Sequence, residues 1–282
     1  MIPLFDHNVK SSFGIWLDNY ITSKGQTFDN FSYPFYKTND DIIVGFDVFK
    51  SPHSQWVYDS SISNATISSG VWGDGNFIPK GTGLYLDFNN GRVLASQAYA
   101  LNNVSGAYAY KEVNIYYTSR ADEALVFQNK FVVNPRSNID TPATGAVVQT
   151  IPAIFIKYDA GKNEPWAFGG QDMTVSKIRT IIFADSEYMF DGLCGLIRDT
   201  TRRYVPYVDA AFLPFNQFGD LQVNSDPFSY MNMVNGVSGD NLMYINKVTV
   251  SPFSEEINST IGVGIYGGFA DFELQTFRFP RI

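Results

Sequence analysis

From Gly81 to Ser96 the chain holds two short runs, Gly-Leu-Tyr-Leu-Asp-Phe and Arg-Val-Leu-Ala-Ser, on either side of Asn89-Asn90-Gly91. Leu84, Leu86 and Phe88 alternate with Tyr85 and Asp87 at the two-residue period of a strand, and Asn-Gly offers the positive φ that a tight hairpin turn requires. The segment predicts a β-hairpin. The same pattern of short aromatic strands broken by Gly, Asn and Ser fills most of the sequence, so it constrains architecture far more than activity.

Further strands are predicted at 42–49, 54–59, 66–72, 84–88, 92–98, 111–119, 123–133 and 147–158, then at 175–183, 228–234, 242–251 and 260–279. Strand follows strand at hairpin spacing, which favours an antiparallel β-sandwich or barrel-like body over a parallel, doubly wound sheet. One strong helix interrupts this pattern at about 186–203, packed on a sheet. Asp185 or Ser186 caps it, Met189, Leu193, Leu196 and Ile197 recur at helical spacing, and Glu187 and Arg203 suit the two ends of its dipole. Gly192 and Gly195 weaken it by about 1 kcal/mol each, which implies a close backbone approach to a neighbour as the offset. Residues 1–41 read as a short helix, capped by Ser11-Ser12 and ended by Gly25, followed by an extended arm. Residues 42–282 read as the β-rich body, and Asn134 to Gly145 holds the boundary if that body comprises two units.

The 282 residues carry a net charge of −8, which excludes a surface that tracks phosphates by clustered Lys and Arg, so no nucleic-acid partner is expected. A single cysteine, Cys194, leaves no disulfide framework and no Cys-rich zinc site, and reads as a small buried hydrophobe. No apolar run reaches the roughly 20 residues of a membrane-spanning helix, and the first residues lack a secretory signal, so neither a membrane partner nor export is expected. The 24 Phe and 17 Tyr are the residues that half-buried sheets and large subunit interfaces use, because a ring gives much contact for little lost rotamer freedom.

Catalytic patterns are weak. Gly262-x-Gly264-x-x-Gly267 has the dinucleotide spacing, but it continues into strand and not into a helix, so no cofactor is expected there. His7 and His53 belong to no metal-binding or catalytic pair, and no metal site is expected. Asp40, Asp41, Asp47, Asp74, Asp87, Glu112, Asp271 and Glu273 are the carboxylates that a glycosidase pair would draw on, and nothing in the sequence pairs them. Trp56, Trp72 and Trp166 offer either a sugar-stacking platform or core and interface packing, the latter being the simpler reading.

Two stretches, Gly81 to Leu94 and Phe183 to Pro206, resemble segments of virion structural proteins from marine tailed bacteriophages. The resemblance implies a homo-oligomeric ring subunit at the neck or tail junction of the particle, made in the host cytoplasm, with copies of itself and adjacent virion proteins as partners. It transfers no catalytic residues. An aromatic-rich β protein without an evident active site agrees with this. A receptor- or glycan-binding tail protein and a carbohydrate-active enzyme are the alternatives. The expected contacts between subunits lie on the N-terminal arm with Phe13, Trp16 and Tyr20, on the loop from Phe212 to Phe215, and on Arg198, Arg202 and Arg203.

Overall fold

The computed structural model describes residues 5–39, 43–81, 83–118, 126–127, 131–133, 149–167, 170–209, 213–215, 220–222, 226–236, 241–261 and 264–279. The chain is mainly β, with barrel-like curvature and mostly antiparallel pairing. Seven strands form the first sheet: β1 (Phe28–Thr38), β2 (Phe46–Lys50), β3 (Gly70–Gly73), β4 (Asn76–Pro79), β5 (Leu84–Asp87), β6 (Arg92–Ser96) and β7 (Val104–Lys111), in the order β4-β3-β7-β1-β2-β6-β5. The second sheet has the order β13-β14-β15-β12-β11-β8, from β8 (Asn114–Tyr117), β11 (Ala153–Ala167), β12 (Gln171–Ala184), β13 (Tyr204–Pro206), β14 (Leu242–Pro252) and β15 (Tyr266–Arg278). A parallel pair, β9 (Phe131–Val133) with β10 (Gln149–Ile151), stands apart.

The predicted hairpin is present as β5–β6, with Leu86 opposite Val93 and Asp87 opposite Arg92. Leu84, Leu86 and Phe88 are buried, as their alternation implies. Asp87 is buried too, because its carboxylate takes both the Asn90 amide and the Arg92 Nε at 2.7 Å. Gly91 alone in the turn takes a positive φ, of 61°, and its Cα lies where any Cβ would overlap the His53 carbonyl.

The N-terminal region departs from the expected arm. Helix α1 (Phe5–Lys24) starts six residues before Ser11 and is buried on most of its circumference, and residues 28–38 form a strand inside the first sheet. Aromatic residues at 28, 31, 33 and 35 build that strand, and Pro34 is tolerated because β2 begins to pair only at Tyr36. Polar residues on the buried helix find partners: Ser12 Oγ both donates to the Val208 carbonyl and accepts from its N–H, and Asn8 donates to the Tyr207 hydroxyl. Rings of α1 meet the second sheet directly, Phe13 lying edge-on to Phe272 at 4.8 Å.

One continuous apolar core joins residues of α1, the first sheet and the second, including Trp56, Leu86, Ile156 and Leu274. The chain passes from the first sheet to the second at residues 112–113, and the boundary expected at 134–145 lies outside the described residues. Helix α2 (Glu187–Arg198) has Ser186 as its cap, accepting from Met189 N–H, and buries Phe190, Leu193, Cys194 and Ile197. It ends five residues earlier than expected, where the Thr200 and Thr201 hydroxyls bond the carbonyls of Ile197 and Arg198. Open space, not backbone, faces Gly192 and Gly195, so the expected close approach is absent. Residues 228–234, expected as strand, contain helix α3 (Tyr230–Asn235), started by Ser229, whose Oγ accepts from Asn232 N–H. Helix α4 (Glu255–Ile261) likewise replaces the first part of the strand expected from 260.

Candidate functional site

The second sheet presents the most distinctive surface. Its inner face packs on α1 through Ile178, Phe272 and Leu274. Among the described residues the other face is covered only in part, by Phe127 and Phe253, which pack on Phe183 of β12. Beyond that cover, charged residues recur at the two-residue period of the strands and line up across them. Lys247, Glu273 and Lys177 form one row, and Thr249, Asp271, Arg179 and Lys157 the next. Opposite charges side by side, Lys177 with Glu273 and Arg179 with Asp271, stabilise such rows, whereas Lys157 stands opposite the like charge of Arg179. Arg179 makes a bidentate contact with Asp271, Nε to Oδ1 at 2.7 Å and Nη2 to Oδ2 at 3.0 Å, and its guanidinium also lies 5.1 Å from the Phe269 ring. Further along the same face stands an exposed aromatic pair, Trp166 and Phe277, with ring centroids 5.0 Å apart.

Among the described residues, both edges of this sheet are open over part of their length. On one side β8 pairs only with 153–156 of β11, and on the other β13 pairs only with 242–244 of β14. No described strand pairs with the outer edge of 158–167 or with that of 246–252. Open edges expose rows of backbone donors and acceptors, which natural sheets keep short, charged or covered. Proline at 165 and 252 and charge at Lys162, Glu164 and Lys247 moderate both edges without closing them.

The residues expected at subunit contacts divide. Phe13, Trp16 and Tyr20 are 0, 6 and 7% exposed, so their rings pack internally and offer no surface to a second copy. Their burial follows from α1 being a central helix, which a single apolar stripe did not reveal. Phe212 lies outside the described residues. Phe215 is partly buried and meets Tyr58 edge-on at 4.6 Å. Arg198, Arg202 and Arg203 are all exposed. Arg203 donates to the Asp199 backbone carbonyl, and its guanidinium sits 4.9 Å from the Tyr20 ring.

The catalytic alternatives find no constellation among the described residues. Asp47 pairs with Lys37, Asp87 with Arg92, Asp271 with Arg179, and Glu273 accepts from the Asn246 amide. Asp74 accepts from the backbone N–H groups of Asn103 and Asn102, which hold its carboxyl below the ordinary range. Asp40 and Asp41 lie outside the described residues. His53 is buried and stacked on Tyr110 at 3.7 Å, with Nδ1 3.1 Å from the Tyr108 hydroxyl, whereas His7 is exposed. Burial raises the Cys194 thiol to about 11, with Asp191 adding to the effect, so it carries little thiolate near neutrality. Trp56 is a core residue stacked on Tyr108 at 4.5 Å, while Trp72 and Trp166 are exposed at separate places, each beside a Phe. They form no common platform. No cluster of three or more potential metal ligands exists among the described residues.

Asp271 and Glu273 are visible in the sequence as carboxylates, but their cross-strand partners are not. The signal was the matching period-two pattern Lys177-x-Arg179 and Asp271-x-Glu273, which gains meaning only once the register is known. No family model matches this chain, and no curated protein matches it.

Proposed function

We propose that the chain is a structural subunit of a tailed-phage particle, assembling with copies of itself into a ring at the neck or tail junction. The pair of open edges on the second sheet carries this reading. Strands β11, β12, β15 and β14 are consecutive antiparallel neighbours, four in number. Because the number is even, the two outer strands run in opposite directions. A second copy related by rotation about an axis along the strands therefore brings its β11 edge to the β14 edge of the first in antiparallel sense. Such a contact is head-to-tail; the free stretches share a level along the strands around Ala160 of one copy and Lys247 of the next, and a rotation that closes yields a ring.

Other features agree. The exposed Trp166–Phe277 pair and the alternating row Lys247, Glu273 and Lys177 lie on the same sheet as the edges, where aromatic anchors and matched charges fix register between copies. The resemblance of Gly81 to Leu94 and Phe183 to Pro206 to virion structural proteins supplies the particle. The carboxylates with described partners are engaged by cations, amides or backbone N–H groups, which weighs against the glycosidase alternative. Native mass spectrometry with negative-stain imaging of the purified chain tests the proposal. Closed rings of one copy number are expected, and a monomer at every concentration reached overturns it.

A further inference from the structure

A cavity of ≈ 530 Å³ opens between α1, the end of the first sheet, β8 and the 213–215 loop. Its volume falls within the roughly 300–1,000 Å³ typical of small-molecule sites. Ile15, Tyr58, Ile115 and Phe215 give it apolar and aromatic walls. Asp18 also borders the cavity, but its carboxylate is spent inside the protein. Oδ2 is held by the Lys111 ammonium at 2.7 Å, the Tyr58 hydroxyl is a hydrogen-bond partner of the same group, and Oδ1 is buried beyond the reach of a ligand.

The mouth has a different character. His7 and Lys10 stand one turn apart on α1, and Asn89 and Asn90 of the β5–β6 turn add exposed amides. Lys10 Nζ donates to the Thr118 carbonyl at 2.6 Å and lies 5.7 Å from the Tyr117 ring, uncharged groups that hold the ammonium in place without cancelling its charge. Among the described lining residues two lysines stand against one aspartate, so the cavity is net positive in a chain whose net charge is −8. The first turn of α1, which holds His7, adds the positive end of the helix dipole, and Asp6 of that turn accepts from the Tyr158 hydroxyl and does not border the cavity. A cationic ligand meets like charge here, and a wholly apolar one takes water from Lys10 without replacing it. An apolar body with one acid group suits both the walls and the mouth.

We infer that this cavity binds a small monocarboxylate with an aromatic body, the acid group at the mouth beside Lys10 and the ring against Tyr58, Ile115 and Phe215. The residues named all belong to one copy of the chain, so the inference stands independently of ring assembly.

Saturation-transfer NMR titrations of the full chain with phenylbutyrate and indoleacetate test it, each acid beside its primary amide and with phenylbutylamine as the cationic control. At least one acid is expected to bind about tenfold more tightly than its amide and than the amine. Lys10→Gln should bring that acid down to the level of its amide and leave the amide unchanged, a split that a merely structural role for Lys10 would not produce, and Lys10→Arg should keep the preference. Phe215→Ala should weaken acid and amide alike. Circular dichroism establishes that the variants fold, and where one does not, the acid–amide comparison in the unaltered chain and the remaining variants decide. Absence of transfer to both acids, an amide or the amine binding as tightly as the acid, a preference that survives Lys10→Gln, or binding unchanged in folded Phe215→Ala overturns the inference.

Discussion

Lys111 Nζ lies 2.7 Å from Asp18 Oδ2, with the two side chains 6% and 11% exposed. Lys111 is the last residue of β7 and Asp18 sits in the fourth turn of α1, so the pair fastens the first sheet to the helix that packs on the second. The ammonium also lies 4.6 Å from the Tyr58 ring, which favours the cation further.

Removing one partner strands the other charge in a buried setting. Lys111→Met is therefore expected to lower stability by about 3–5 kcal/mol, whereas the double variant Lys111→Met with Asp18→Leu should recover most of that loss. Urea unfolding of the two variants measures the difference, and equal losses in both would contradict the account.

Three glycines are expected to behave oppositely. Gly192→Ala and Gly195→Ala meet open space on α2 and should each stabilise the chain by about 1 kcal/mol. Gly91→Ala places a Cβ against the His53 carbonyl at a φ of 61°, and should cost upwards of about 2 kcal/mol. Thermal unfolding of the three variants orders them.

Alkaline pH should destabilise the fold through its tyrosines. Burial raises the hydroxyls of Tyr116 and Tyr158 to about 12, and lifts those of Tyr58, Tyr108 and Tyr230 as well. In the unfolded chain these groups lose protons near an ordinary value of about 10, while the folded chain still holds them. Their contribution is thus fully present below about pH 10 and is lost as pH rises toward 12. The melting temperature should fall across that window, with tyrosinate absorbance appearing on unfolding. A melting temperature that does not fall there would contradict the burial.

Trp166→Ser combined with Phe277→Ser should change the unfolding midpoint of a single copy little, since Trp166 is 60% and Phe277 42% exposed. The same variant should weaken self-association at least about tenfold, because aromatic anchors dominate such contacts. Sedimentation velocity over a concentration series reads the second effect.

Much of the architecture was legible because local chemistry and tertiary context agree there. The β5–β6 hairpin follows from Leu84, Leu86 and Phe88 alternating before an Asn-Gly turn, and α2 from its cap at Ser186 and its apolar spacing. The failures occur where context overrides the local pattern. Helix α1 has polar Asn8, Ser12 and Asp18 on buried positions, so no clean apolar stripe marks it, and only partners such as Val208 and Lys111, distant in sequence, explain their burial. Residues 28–38 looked irregular because Asp29 and Asn30 interrupt the aromatic alternation and Pro34 argues against a central strand, yet β7 pairs with them without a break from Phe28 to Phe35. The charged rows and the open edges depend on strand order, which no spacing in the sequence specifies.

The proposed ring depends on the β11 edge of one copy meeting the β14 edge of the next. A photoreactive side chain at Ala160, with isotope-labelled and unlabelled copies mixed and the cross-linked peptides mapped by mass spectrometry, addresses it directly. Within one copy, 160 and 247 stand on strands separated by two others, about 14 Å apart, so a short cross-link between them reports a neighbour. The account predicts mixed-label cross-links that fall in residues 246–252 of another copy. Cross-links confined to a single copy, or falling elsewhere on a second one, would contradict it.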